Sequence, residues 1–219
     1  MCIRDSATIP CSVGLYASSE SAKPNILLIL ADDLSWFDLG CYGSKDVNTP
    51  NIDKLAREGM TFNHAYTATA MCAPTRQQLY TGLFPVRNGA MGNHSSVKTG
   101  TKSMVHHLSE LGYEVSLSGK EHFGPPVSFP FQKREGLKIP FGPEPFCLVL
   151  ASKKPHDGWP QAKGYDPGKL TVPPYLVDNL ETRRSLARYF TEITQLDEDI
   201  GTLMADLKAK GKAKNTVVI

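Results

Sequence analysis

Three observations predict an α/β fold with a mostly parallel central sheet flanked by helices. Two continuous apolar runs, "NILLILA" at 25–31 and "FCLVLAS" at 146–152, suit strands buried on both faces. Helical patterns fall between the strand-like segments, and that alternation builds parallel sheets. A long segment at 181–211 spaces Leu186, Phe190, Ile193, Leu196, Ile200, Leu203 and Leu207 at helical intervals.

The elements follow in chain order. "NILLILA" forms the first strand and runs into Asp32 and Asp33. "TPNIDKLAREG" (49–59) reads as a helix. Thr49 can cap it, Pro50 takes its first position, Ile52, Leu55 and Ala56 share a face, and Gly59 ends it. "MTFNHAYT" (60–67) is expected as a short strand. A helix is then expected over 74–81, stopping at Gly82. "SMVHHLSELG" (103–112) is a helix ending on glycine, and "YEVSLSG" (113–119) alternates as a strand does. Residues 123–145 are rich in Pro, Gly and Phe and show no period, and 153–180 are irregular. Irregular stretches of that length in a compact domain usually carry function. "NTVVI" (215–219) is expected to begin another buried strand.

The 219 residues are 41% hydrophobic and 21% charged, which suits one domain with a real core. The formal charge is +2, with no basic stripe carrying interleaved aromatics, so no nucleic-acid partner is expected. Lys208, Lys210, Lys212 and Lys214 read as a solvated helix C-terminus. Cysteines at 2, 11, 41, 72 and 147 form no CxxC pair and no zinc spacing, which argues against a disulfide framework. No run is long enough for a membrane span. "MCIRDS" resembles the translation of a transposase-type sequencing adapter end. "ATIPCSVGLYASSESAKPN" then reads as the tail of a secretory signal peptide. Residues 1–22 are accordingly expected to be disordered, with 23–219 as the folded unit and a periplasmic or extracellular location.

In open α/β sheets, ligands collect beyond the carboxyl ends of the strands. The first strand delivers Asp32 and Asp33 there, a pair suited to a hard divalent cation; alone, such a pair is more simply a loop start. The strand at 113–119 delivers Lys120 and His122, able to hold an anion and move a proton. The strand at 146–152 delivers His156 and Asp157; taken alone, this histidine reads as solvated. "MCAPTRQQLYTG" (71–82) places Cys72 just before a helix start. Free amides there favour an anion and lower a thiol pKa, and Arg76 adds a fork for a tetrahedral oxyanion. Together these groups describe a metal-assisted site for sulfate or phosphate esters.

These residues carry a resemblance to the sulfatases. "CAPTR" (72–76) matches the family's C-x-P-x-R pattern, with Leu79, Thr81 and Gly82 following as usual. "ILADDL" (29–34) is similar to its first metal motif. "GYEVSLSGKEH" (112–122) is similar to its second signature, although Val115 and the spacing to His122 depart from the common GKWH form. Residues 196–219 resemble the segment leading to its late metal motif. "GKEHFGP", "YDPGKLTVPPYLVDN" (165–179) and "NGAMGNH" (88–94) resemble the heparan N-sulfatase (sulfamidase) group.

The resemblance implies an alkaline-phosphatase-like fold and hydrolysis of sulfate esters or sulfamates of sulfated saccharides, such as the N-sulfoglucosamine of heparan sulfate. It implies that Cys72 becomes formylglycine through a formylglycine-generating or anaerobic sulfatase-maturating enzyme. One Ca²⁺ would be held by Asp32, Asp33 and residue 72. Arg76 and Lys120 would hold the nucleophile and the sulfate oxygens, His122 would orient the diol, His156 would protonate the leaving group, and His94 would touch substrate. The family takes two further metal ligands, an Asp–Asn pair, just after the strand corresponding to "NTVVI". The chain is therefore expected to be an inactive N-terminal piece that binds calcium poorly. A phosphodiester or phosphonate hydrolase of the same superfamily, and a catalytically silent glycan-binding protein, are the alternative readings.

Overall fold

The computed structural model describes residues 23–140, 142 and 145–219. The adapter-like start and signal-peptide remnant expected at 1–22 lie outside the described residues. Five strands form one sheet: β1 (Asn25–Leu30), β2 (Glu114–Gly119), β3 (Gln132–Arg134), β4 (Phe146–Ala151) and β5 (Thr216–Val218), in the order β3-β2-β4-β1-β5. Every pairing is parallel. β4 lies at the centre with all six residues buried, which is why its sequence is uninterruptedly apolar.

The helices are α1 (Pro50–Glu58), α2 (Cys72–Thr81), α3 (Pro85–Asn88), α4 (Met104–Glu110) and α5 (Leu180–Ala209). The α5 residues Leu203 and Leu207 pack on Leu27, Phe146 and Leu148 from one face of the sheet. On the other face, Tyr80 of α2 packs with Leu28, Leu117 and Val149. Adjacent strand residues thus serve opposite layers, as strand geometry requires. Val47, Leu170, Phe190 and Ile193 extend the core beneath the long irregular stretch.

The cap of α1 differs from expectation. Thr49 makes no side-chain cap; its Oγ1 accepts from Gly40 N at 3.0 Å and bonds Asp53 Oδ1 at 3.1 Å. Asp197 of α5 serves instead. Its buried carboxylate accepts from Asn51 N, Asn51 Nδ2 and Ile52 N at 3.2, 2.8 and 2.8 Å. A carboxylate at a helix N-terminus satisfies orphan amides and complements the dipole. This close approach needs Gly201, where a Cβ would lie 2.7 Å from the Asn51 side chain.

Four further expectations are corrected. Residues 60–67 form no strand: Met60, Phe62 and Tyr66 stand exposed in a loop with no strand pairing to supply the ladder. Residues 123–145 contain the edge strand β3, whose three polar, exposed or half-exposed residues carry no apolar period. β5 is not buried; it lies at the sheet edge with Val217 47% exposed. The helix expected over 74–81 begins two residues earlier, so Cys72 is its first residue.

Candidate active site

The carboxyl ends of β1, β2 and β4 converge with the N-terminus of α2. Gly119 makes the β2 exit possible. Its φ is +104°, and a Cβ there would lie 2.1 Å from Ala151 O. Lys120 N donates to that same carbonyl at 2.7 Å, which turns the Lys120 side chain toward β1. α2 ends on Gly82 at φ +67°, in the left-handed cap conformation.

Asp32 is the electrostatic centre. Its buried carboxylate is 3.3 Å from Arg76 Nη2 and in direct contact with Lys120 Nζ. Lys120 Nζ also reaches Cys72 Sγ at 3.4 Å, and Arg76 Nη1 donates to Lys120 O at 3.3 Å. Burial disfavours the Asp32 carboxylate, but the Lys120 hydrogen bond and the Arg76 and Lys120 charges outweigh it and hold its pKa below the usual range. Burial likewise disfavours the Lys120 ammonium, yet its bond to Asp32 raises its pKa. Both groups are therefore charged at neutral pH.

His156 completes the cluster from the β4 side. Its Nε2 lies 3.6 Å from Asp33 Oδ2 and its Nδ1 2.6 Å from Asp157 Oδ1. Asp32, Cys72 and His156 each offer one ligand atom, all within 4.8 Å of one another. A cleft of about 290 Å³ opens here, lined by Asp32, Asp33, Cys72 and Arg76. His122 and His94 lie beside it as a pair, Nε2 to Nδ1 at 3.0 Å. Both occupy the left-handed region, at φ +48° and +65°, as does Asp33 at +63°. For non-glycine residues such backbone strain tends to mark functional sites. His122 Nδ1 is buried without a partner among the described residues. Burial first, then the Lys120, His94 and Arg76 charges, lower the His122 pKa.

Two residues that hold this geometry escaped sequence reasoning. Gln77 is fully buried in α2; its Nε2 donates to Ser95 O at 2.8 Å, and its Oε1 accepts from Val97 N at 3.0 Å and Gly124 N at 3.3 Å. It ties the helix that starts at Cys72 to the loops carrying His94 and His122. Asn93 Oδ1 accepts from Ala73 N at 3.3 Å, beside Cys72. No local signal marked Gln77: the inward side of α2 carries Arg76 as well as Ala73 and Tyr80, so a further buried polar residue does not stand out.

The donor atoms brought together are those of Asp32, Cys72 and His156, a softer set than the expected one, and Asp33 joins them only as a lining residue of the cleft. Asp32 and Asp33 supply carboxylate oxygens, whereas a Cys72 thiol is too soft a ligand for Ca²⁺. An oxygen-bearing residue 72 would make the set consistent. The number of donors falls short, because Ca²⁺ takes six to eight oxygens.

The family model described as Sulfatase matches residues 24–142 and 134–219. The chain belongs to the sulfatase family. Among sulfatases it is 39% identical to the Ulvan-active sulfatase of Formosa agariphila, over 64% of this chain and 32% of that protein. It is 28% identical to the N-sulphoglucosamine sulphohydrolase of Homo sapiens, over 95% of this chain and 52% of that protein. The crystal structure of Ps i-CgsB in complex with k-i-k-neocarrahexaose matches with a TM-score of 0.73 and 26% identity, covering 90% of this chain and 57% of that one. The chain thus spans about half the length, or less, of these curated sulfatases.

Proposed function

We propose that this chain carries the sulfate-binding part of a hydrolase for sulfate esters or sulfamates of saccharides, with residue 72 as the nucleophile after oxidation to formylglycine. The observation that carries the reading is the convergence of Cys72, Lys120, Asp32 and Arg76 at one helix N-terminus. The names of the relatives, which include an ulvan-active and an N-sulphoglucosamine enzyme, support a sulfated-saccharide substrate.

Hydrated formylglycine would supply one hydroxyl oxygen to bond sulfur as the saccharide oxygen or nitrogen leaves with a proton, and a second hydroxyl whose deprotonation would restore the aldehyde and expel sulfate. A Ca²⁺ held by Asp32, Asp33 and an oxygen-bearing residue 72 would supply Lewis acidity toward oxygen. The remaining work belongs to side chains of this chain. Arg76 presents a fork to the sulfate oxygens, and Lys120 places its ammonium between residue 72 and Asp32. His122, kept neutral at pH 7 by its lowered pKa, accepts a proton from residue 72 as the ester breaks down. Asp157 accepts from His156 Nδ1, so that in its protonated form His156 keeps an Nε2–H to give to the departing atom, becoming neutral as it does. His94 buttresses His122 and touches substrate. A periplasmic or extracellular location and dependence on a maturation enzyme belong to the same reading.

With two carboxylates for a cation that takes six to eight oxygens, the 219-residue chain alone should bind Ca²⁺ weakly and turn over no substrate. The test has two arms. The chain is co-expressed with a formylglycine-generating enzyme, and the peptide containing residue 72 is weighed. A full-length protein carrying this sequence is assayed on sulfamate, sulfate-ester and phosphodiester substrates. An aldehyde at residue 72 and sulfate-directed turnover are expected. An untouched thiol favours a glycan-binding protein, and faster phosphodiester cleavage favours the phosphohydrolase alternative. Turnover by the 219-residue chain itself would refute its predicted inactivity.

A further inference from the structure

A second, larger cleft of about 600 Å³ adjoins the first, and Asp33 lines both. Its aromatic surface comes from Trp159, Tyr175 and Tyr189. Each ring is held differently. Trp159 donates its indole N–H to Pro155 O at 2.8 Å and packs edge-on against Tyr189, with centroids 5.6 Å apart. Arg188 donates to Pro160 O at 2.8 Å, tying the Trp159 loop to α5. Tyr189 donates to the buried Asp38 at 3.0 Å. Tyr175 contacts Phe37 edge-on and is 68% exposed, so one ring face is open to the cleft. Thr182 and Ser185 share the Tyr189 face of α5 and add hydroxyls to the wall.

This combination matches the usual small-molecule site: a concave space of several hundred Å³ with aromatic walls and a few polar groups. Its charge is distinctive. Asp38 and Glu181 line it, and no Lys, Arg or His does among the described residues. The first cleft sets Arg76 beside Asp32, and Asp33 lines both clefts. The two halves therefore suit different parts of one ligand.

We propose that the Trp159–Tyr175–Tyr189 cleft is a subsite for an unsulfated sugar ring adjoining the sulfated one, and that Glu181 rejects a second sulfate there. The proposal rests on the sulfatase reading for the neighbouring ring. Amphipathic aromatic rings offer apolar faces to sugar C–H groups, while the hydroxyls of Thr182 and Ser185 donate or accept and the Glu181 carboxylate accepts at the ring edge. A second sulfate would meet the Glu181 carboxylate with no Lys, Arg or His on the wall among the described residues, a penalty that discriminates without any new attractive contact.

Three probes given to the 219-residue chain test this by residue-resolved NMR: inorganic sulfate, neutral N-acetyllactosamine, and the same disaccharide carrying 6-sulfates on both rings. N-acetyllactosamine should shift the Trp159 indole and the α5 signals around Ser185. Tyr175→Ala, at an exposed position, should weaken that binding about fivefold, the scale of one lost aromatic contact. The disulfated probe should leave the Trp159 signal in place until Glu181→Lys is introduced. Loss of sulfate-induced shifts around Cys72 counts against the sulfatase reading alone, because the neutral probe reports on the second cleft independently. No response of Trp159 to the neutral disaccharide, or equal response to the disulfated one, overturns the subsite.

Discussion

At the scale of single residues, the site is organised by one carboxylate with two cationic partners. Asp32 and Arg76 are 4% and 3% exposed, so neither can recover water if the other is lost. Removing one partner of a buried pair typically costs about 3–5 kcal/mol, because the survivor stays charged and unpaired. Arg76→Met leaves Asp32 with Lys120 as its remaining partner, so its cost in denaturant titration should fall at or below the low end of that range, about 3 kcal/mol, and Lys120→Met, at a more accessible position, should cost less. Equal costs would mean that Lys120 carries as much of the compensation as Arg76. His122 provides a pH-dependent test. Its folded pKa lies below the ordinary 6.5, so the unfolded chain takes up this proton first as pH falls. The stability linked to His122 is then full above pH 6.5 and declines below it until the folded imidazole titrates. In NMR titrations its ring signals should move below 6.5, and Lys120→Met should raise that midpoint by removing a nearby positive charge. An unchanged midpoint would leave burial and the His94 and Arg76 charges as the causes.

At the scale of elements, each strand exit depends on what its neighbours allow. Gly119 sits at φ +104° with Ala151 O where its Cβ would be. Gly119→Ala combines left-handed strain with a backbone clash and should destabilise by about 2–4 kcal/mol, measurable by thermal unfolding. A cost under about 0.5 kcal/mol would mean that β2 shifts freely against β4, contrary to their six-residue register. The same element-level view explains what could be read from sequence. β1 and β4 were legible because burial on both faces demands unbroken apolar residues, and α5 because its buried stripe runs from Ala187 to Leu207. Strand exits then pointed to Asp32, Lys120 and His156. β3 was not legible, because three edge residues need no apolar pattern, and the apparent alternation at 60–67 had no partner strand. Gln77 and Asn93 were hidden for another reason. Their partners lie 18 to 47 residues away, a distance at which no local spacing rule operates.

At the scale of the whole molecule, the sheet has two edges that are treated differently. β3 closes one edge with Gln132, Lys133 and Arg134, and lysine-rich edges resist pairing with another chain. β5 closes the other with Thr216, Val217 and Val218. Its inward bonds are made: Ile219 N donates to Leu27 O at 2.9 Å, and Ile29 N donates to Ile219 O at 2.8 Å. Val217 and Ile219 stand 47% and 66% exposed, with no charge on the strand itself to repel a second copy. An apolar, uncharged edge is a template for strand addition, so the 219-residue chain should self-associate as its concentration rises. Val217→Lys places a charge on that edge without touching the buried strands. Sedimentation velocity should show the loss of concentration-dependent species, while the unfolding midpoint moves little, because strand propensity differences at exposed positions stay within about 1 kcal/mol. A monomeric unchanged chain at high concentration would show that the β5 edge is already protected. Association that survives Val217→Lys would assign it instead to the exposed Met60, Phe62 and Tyr66 loop.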